Sequence, residues 1–119
     1  CRIMAGFGTQ LLAYDVHPNP GVEQVGGKYV ALDVLLQSAD IISLHCPLLE
    51  STHHLINDQS IARMNPGVML INTSRGALVD TEAVIRGLKT RKIGYLGLDV
   101  YEEEETLFFE DRSAEVLQD

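Results

Sequence analysis

One short stretch limits what this chain can fold into: Val68-Met69-Leu70-Ile71-Asn72-Thr73-Ser74-Arg75-Gly76-Ala77-Leu78, an apolar run that stops abruptly in polar residues, an arginine and a glycine. Val68 to Ile71 has no room to be an amphipathic helix and follows Pro66-Gly67, so it reads as a strand buried on both faces of a parallel sheet. In open α/β sheets, ligands bind in the crevice outside the carboxyl ends of the strands. Thr73, Ser74 and Arg75 are thereby delivered to the place where chemistry occurs. The Arg75 guanidinium stays charged and presents a planar fork that matches a carboxylate with two parallel hydrogen bonds, which suits an organic acid. An arginine in a surface ion pair is the competing reading of this stretch.

The flanking segments repeat the same pattern. Arg2 to Phe7 looks like the tail of a helix, stopped by Gly6 and Gly8. Gln10 to Asp15 is a short buried strand ending in an acid, and His17-Pro18-Asn19-Pro20-Gly21 reads as a loop. Lys28 to Val30 is a small strand. Leu32, Leu35 and Leu36 have the spacing of a helix over Ala31 to Ala39. Ile41 to Leu44 is a strand that Cys46-Pro47 cannot continue. Leu48 to His54 is loop-like, and Asn57 or Asp58 caps a helix through Met64. Asp80 or Thr81 caps another to about Thr90, before a strand over Ile93 to Leu98 that ends in Asp99. Arg112 to Gln118 can begin a last helix. Strands alternating with helices at this pitch define an α/β class: a Rossmann-like, doubly wound parallel sheet with right-handed crossovers.

Composition narrows the function classes. A chain of 119 residues, 45% of them hydrophobic, is long enough for one domain with a core. The net charge of -8 excludes the basic face that nucleic acid requires and disfavours anionic membrane surfaces. No apolar run reaches the length of a membrane span, and Cys1-Arg2-Ile3-Met4 does not open like a secretion signal. Cys1 and Cys46 make no disulfide framework, so the expected setting is a reducing cytoplasm.

Asp15 ends a strand that follows a helix tail, where a dinucleotide-binding unit places an acid to accept both hydroxyls of the adenine ribose. In that role a carboxylate repels a ribose phosphate and favours NAD over NADP; an exposed turn aspartate is the ordinary alternative. The glycine fingerprint of such a unit is not in this sequence, because Gly6 and Gly8 follow helical residues rather than a strand. Cys46-Pro47 can form one wall of an adenine pocket, or simply a buried thiol at a proline turn. His45 reads as locally hydrogen-bonded. His53 and His54, being adjacent, would point apart on a regular element, so no metal pair is expected. Glu102, Glu103 and Glu105 read as a solvated acidic face. Asp99 differs, because it ends an apolar strand at the same sheet edge as Arg75 and can contact a nicotinamide carboxamide or orient a catalytic group.

Leu44-His45-Cys46-Pro47-Leu48, Asn72-Thr73-Ser74-Arg75-Gly76-Ala77 and Gly97-Leu98-Asp99-Val100-Tyr101-Glu102 resemble the cofactor domain of the NAD-dependent D-isomer-specific 2-hydroxyacid dehydrogenases. The run from Asp99 to Asp119, with Leu107-Phe108-Phe109-Glu110-Asp111, is most similar to the fermentative D-lactate dehydrogenase branch in bacteria. The resemblance covers essentially the whole chain. It implies that Arg75 binds the substrate carboxylate and polarises its keto group. It also implies that Glu104 is the catalytic glutamate, paired with a histidine whose pKa a nearby carboxylate raises. Asp15 and Val16 fall at the ribose end of the NAD site, Cys46 and Pro47 on the adenine side, Thr73 and Ser74 beside the nicotinamide, and Asp99 at the nicotinamide region. No metal is implied.

The same resemblance implies what to expect beyond these residues. The catalytic histidine falls after Asp119, and none of His17, His45, His53 and His54 occupies its place. Residues 1–119 correspond to a partial NAD-binding domain, with the first strand, its glycine loop and the separate substrate domain absent. The piece alone is therefore expected to be inactive. It is also expected to have a gap in its sheet between the strands ending at Asp15 and Leu44, and to fold poorly or aggregate. The expected parent is a cytoplasmic homodimer that reduces a small 2-keto acid, most simply pyruvate to D-lactate. Glycerate or phosphoglycerate oxidation, an NAD-sensing corepressor module, and an interaction piece exposing Phe108-Phe109 are the alternatives.

Overall fold

The computed structural model describes residues 1–102. Its elements are α1 (Arg2–Gly6), β1 (Leu12–Ala13), α2 (Pro20–Gln24), β2 (Lys28–Tyr29), α3 (Leu32–Ser38) and β3 (Ile41–Leu44). They are followed by α4 (Asp58–Arg63), β4 (Val68–Asn72), a short 3-10 turn (Gly76–Leu78), α5 (Thr81–Lys89) and β5 (Ile93–Leu98). All strand pairs are parallel, as the alternating pattern predicts. The strands form two sheets, one of order β1-β2 and one of order β3-β4-β5. Among the described residues no strand pairing joins the two sheets.

β4 is the central strand of the larger sheet, and its alternate residues Val68, Leu70 and Asn72 are buried. Around it pack Leu36 from α3, Ile42 and Leu44 from β3, Ile61 from α4, Ala83 and Val84 from α5, and Ile93 from β5. Leu32 and Leu35 lie against this core at its edge, which accounts for the leucine spacing of α3. Helix starts follow their caps. Asn57 accepts from the backbone N–H groups of Gln59 and Ser60 while the Ser60 hydroxyl accepts from the Asn57 N–H, closing a capping box at α4. Asp80 accepts from the Ala83 N–H at α5.

Two local expectations need correction. Residues 17–21 are not loop throughout, because Pro20 starts α2 with Asn19 as its cap, accepting from the Gly21 N–H at 2.8 Å. Proline at the first helical position loses no internal hydrogen bond, so this is a favourable start. The segment holding His53 and His54 is irregular, and the two rings stack with centroids 4.0 Å apart. His54 adopts a left-handed backbone, φ 49°, which turns its ring onto that of its neighbour. Glu104, Phe108-Phe109 and the helix expected from Arg112 lie outside the described residues. No described helix is long and apolar enough to cross a membrane.

Candidate functional site

Strand register assembles the site. Leu44 pairs with Asn72 and Asn72 with Leu98, so His45, Thr73 and Asp99 leave three adjacent strands side by side. Neighbouring parallel strands lie about 4.8 Å apart, which sets the scale of this rim. The Asp99 N–H donates to the Asn72 carbonyl at 3.0 Å, extending the ladder one residue beyond β5.

Asn72 builds the turn that carries Arg75. Its fully buried side chain donates from Nδ2 to the Arg75 carbonyl at 2.8 Å and accepts at Oδ1 from the Ser74 N–H at 3.1 Å. Both ends of the amide are used, so no other side chain of this size serves both groups. The Ser74 hydroxyl donates to the Cys46 carbonyl at 2.8 Å and ties the end of β3 to the end of β4. Thr73 and Arg75 are exposed on this scaffold. The Arg75 Nη1 donates back to the Ser74 carbonyl at 2.8 Å. Among the described residues no acid pairs with Arg75, whereas Arg63 is bound by Asp33 and Arg86 by Asp58 and Glu82. The surface ion-pair reading of Arg75 has no partner there.

The segment leaving β5 crosses this turn at Gly76. A Cβ on Gly76 would overlap the carbonyl of Tyr101 and press on the nitrogen of Glu102, so only glycine permits the crossing. Arg75 and the stretch that leads from Asp99 into the glutamates are thus in direct backbone neighbourhood.

On the other side of the site, Asp15 is exposed just past β1 and accepts the His17 N–H at Oδ1, 2.9 Å. Burial pushes the Cys46 thiol above its ordinary value, a backbone hydrogen bond opposes the rise, and the Asp15 carboxylate adds to it. The thiol is therefore protonated at neutral pH and a poor nucleophile. His45 is bound locally, its Nε2 lying 2.9 Å from the Ser43 hydroxyl.

Glu102 is not part of a solvated acidic face. Its side chain is 26% exposed, hydrogen-bonded to His54 Nε2, and accepts at Oε2 from the Thr81 N–H at 3.0 Å and the Thr81 hydroxyl at 2.6 Å. Partial burial raises its carboxyl pKa, but the Thr81 and His54 contacts outweigh this and hold it below the ordinary value. The run of glutamates concealed this residue, and only the pairing of distant segments reveals it. Asn72 carried a readable signal, because an asparagine entering a polar turn commonly bonds the backbone two residues on.

A parallel α/β sheet with an acid after one edge strand, an Asn-built arginine turn at the central strand and a second acid beside it defines a dinucleotide-dependent α/β domain. The chain belongs to the D-isomer specific 2-hydroxyacid dehydrogenase, NAD binding domain family, whose model matches residues 1–114. It is 56% identical over 118 residues to a 2-hydroxyacid dehydrogenase homolog of Haemophilus influenzae and 52% identical over 118 residues to the D-lactate dehydrogenase of Escherichia coli. In both cases the match covers 99% of this chain and 36% of the relative. The solved structure of Salmonella D-lactate dehydrogenase superimposes with a TM-score of 0.86 at 52% identity, covering 98% of this chain and 36% of that one. That of the pyruvate reductase of Chlamydomonas reinhardtii gives 0.88 at 54% identity, over 97% and 34%. The chain spans about a third of the length of the relatives it matches.

Proposed function

We propose that this chain supplies the cofactor side of an NAD-dependent reductase of small 2-keto acids, with pyruvate reduced to D-lactate as the reaction. The observation that carries this reading is the rim itself: Arg75 on the Asn72 turn, Asp99 on the next strand, and Tyr101–Glu102 crossing at Gly76. A charged fork with no acid partner among the described residues, at the carboxyl ends of the strands, matches the carboxylate of a keto acid. The names of the relatives, D-lactate dehydrogenase and pyruvate reductase, support the same substrate class.

The residues fit the cofactor. Asp15 has one carboxylate oxygen engaged by a backbone N–H, which leaves acceptor capacity for ribose hydroxyls. In this reading Val16 belongs with Asp15 at the ribose end and the Cys46-Pro47 turn on the adenine side, while Thr73, Ser74 and Asp99 serve the nicotinamide end. When bound, NADH supplies the hydride that reduces the keto carbon. Arg75 holds the substrate carboxylate and polarises the keto oxygen. Glu104 keeps a partner histidine protonated so that it can protonate that oxygen.

The test is the full-length polypeptide that carries this chain, assayed for NADH loss with pyruvate, hydroxypyruvate and 3-phosphohydroxypyruvate. Fastest turnover of pyruvate, with D-lactate as product, is expected. Preference for either of the other acids would replace the substrate, and no turnover of any would remove the reading.

A further inference from the structure

Three segments distant in sequence meet at one carboxylate. His54 is held by its own backbone, its N–H donating to the Ala77 carbonyl at 2.9 Å and its carbonyl accepting from Asn57 Nδ2 at 2.9 Å. The Ile56 N–H donates to the Leu78 carbonyl at 3.0 Å and the Asp80 N–H to the Ile56 carbonyl at 2.8 Å, so residues 54–56 are laced along residues 77–80 immediately after the Arg75 turn. Thr81 opens α5 there, and Asp80 is engaged at the Ala83 N–H, leaving the Thr81 N–H to Glu102. The left-handed backbone of His54 is unfavourable in a non-glycine residue, and these paired hydrogen bonds hold it in place.

We propose that Glu102 is a positioning residue for the reaction: clamped between His54 and Thr81, it sets where the chain leaving β5 crosses at Gly76 and so holds the Arg75 turn in place for the substrate. The inference rests on the reductase reading above. Solvation alone does not account for this glutamate, because a freely solvated side chain would not take up the imidazole, a hydroxyl and a backbone N–H together. Glycine at position 76 supplies the matching feature on the other side of the crossing, where the strand exit passes too close for any side chain. Tyr101 and Glu102 are thus gripped from below by the Arg75 turn and from the side by His54 and Thr81.

Glu102→Gln and Glu102→Ala in the full-length enzyme separate positioning from folding. Misplacement of a catalytic group is costly, so kcat for pyruvate is expected to fall about tenfold or more in Glu102→Ala and less in the near-isosteric Glu102→Gln. The Kd for NADH should stay within about twofold, a window well inside the tenfold that 1.4 kcal/mol represents. Because Arg75 also holds the substrate carboxylate in the bound state, the KM for pyruvate should rise as kcat falls, a pairing that mere loss of folded enzyme does not produce. A lowered melting temperature with unchanged kcat and KM would show that Glu102 only braces the fold and would overturn the proposal. So would an unaltered Glu102→Ala enzyme. A wild-type enzyme inactive on every 2-keto acid would instead bring down the reductase reading, and this inference with it.

Discussion

The two sheets are built to different standards. The β3-β4-β5 sheet, its helices and the segments that join them contain every buried apolar side chain among the described residues, from Leu36 to Ile93. The β1-β2 pair is two residues wide on each strand and buries none, while Ile3, Phe7 and Val16 around it are about three-quarters exposed. Apolar burial is worth about 25 cal/mol per Å2, so the larger sheet holds itself together and the smaller one depends on what packs against it. The contrast maps onto the site. Arg75, Thr73 and Asp99 stand on the packed sheet, and Asp15 stands on the thin one. Geometry at the proposed substrate side is thereby set by the core, whereas the acid proposed for the ribose is placed by a pair of strands with little support among these residues.

The most severe way to break the comparison is to truncate one leucine in each sheet of the full-length protein. Leu70 is fully buried in β4, and Leu70→Ala should cost about 2–5 kcal/mol by urea unfolding. Leu12→Ala, at a half-buried position in β1, should cost about 1 kcal/mol. Equal costs would mean that the β1-β2 pair is as firmly packed in the whole protein as β4, and the contrast would vanish.

A functional version follows at Arg75. Lysine keeps the charge but cannot form the two-pronged bond, and one charge-assisted hydrogen bond contributes about 1.5–3 kcal/mol. Arg75→Lys should therefore lower kcat/KM for pyruvate about 10- to 100-fold, with NADH affinity unchanged. Near-normal kinetics would remove Arg75 from its assigned role and leave the packed sheet without a substrate contact.

What the sequence disclosed divides along the same line. β4, β5, α3 and both caps were legible because apolar runs and capping residues act locally, and the Asn-Thr-Ser-Arg-Gly turn was legible because a strand end tells where its polar residues project. α2 was hidden because proline and glycine signal a loop more loudly than they signal a helix start, although Asn19 before Pro20 held the correct message. Glu102 was illegible for a different reason. Four consecutive glutamates look alike in sequence, and what distinguishes the first is contact with residues 21 and 48 positions away. Nor can adjacency in sequence foresee the stacked histidines, because a left-handed residue reverses the rule that neighbours point apart.

On the thin sheet, Asp15→Asn sharpens the comparison with a smaller effect. The carboxylate repels a 2′-phosphate, so neutralising it should narrow the preference for NADH over NADPH by about tenfold, or about 1.4 kcal/mol. Melting temperature should barely move, since Asp15 is exposed and supports only the His17 N–H. An unchanged preference would refute the ribose assignment, and a large loss of stability would show that the β1-β2 pair relies on this acid more than its exposure implies.

The smallest effect expected concerns pH and the clamp on the packed side. The Glu102 carboxyl is held below its ordinary value of 4.5 in the folded chain: partial burial opposes this, but hydrogen bonds from Thr81 and His54 prevail. A depressed carboxyl pKa stabilises the fold fully above the unfolded value, and that contribution is lost as pH falls through the folded one. Wild type and Glu102→Gln should therefore differ slightly in urea midpoint at neutral pH, and the difference should close as the solution is acidified below about pH 4.5. A gap that persists unchanged into that acidic range would mean that the carboxylate charge contributes nothing. Glu102 would then hold the strand exit by shape and neutral hydrogen bonding, alongside Gly76 and Asn72, and not by its charge.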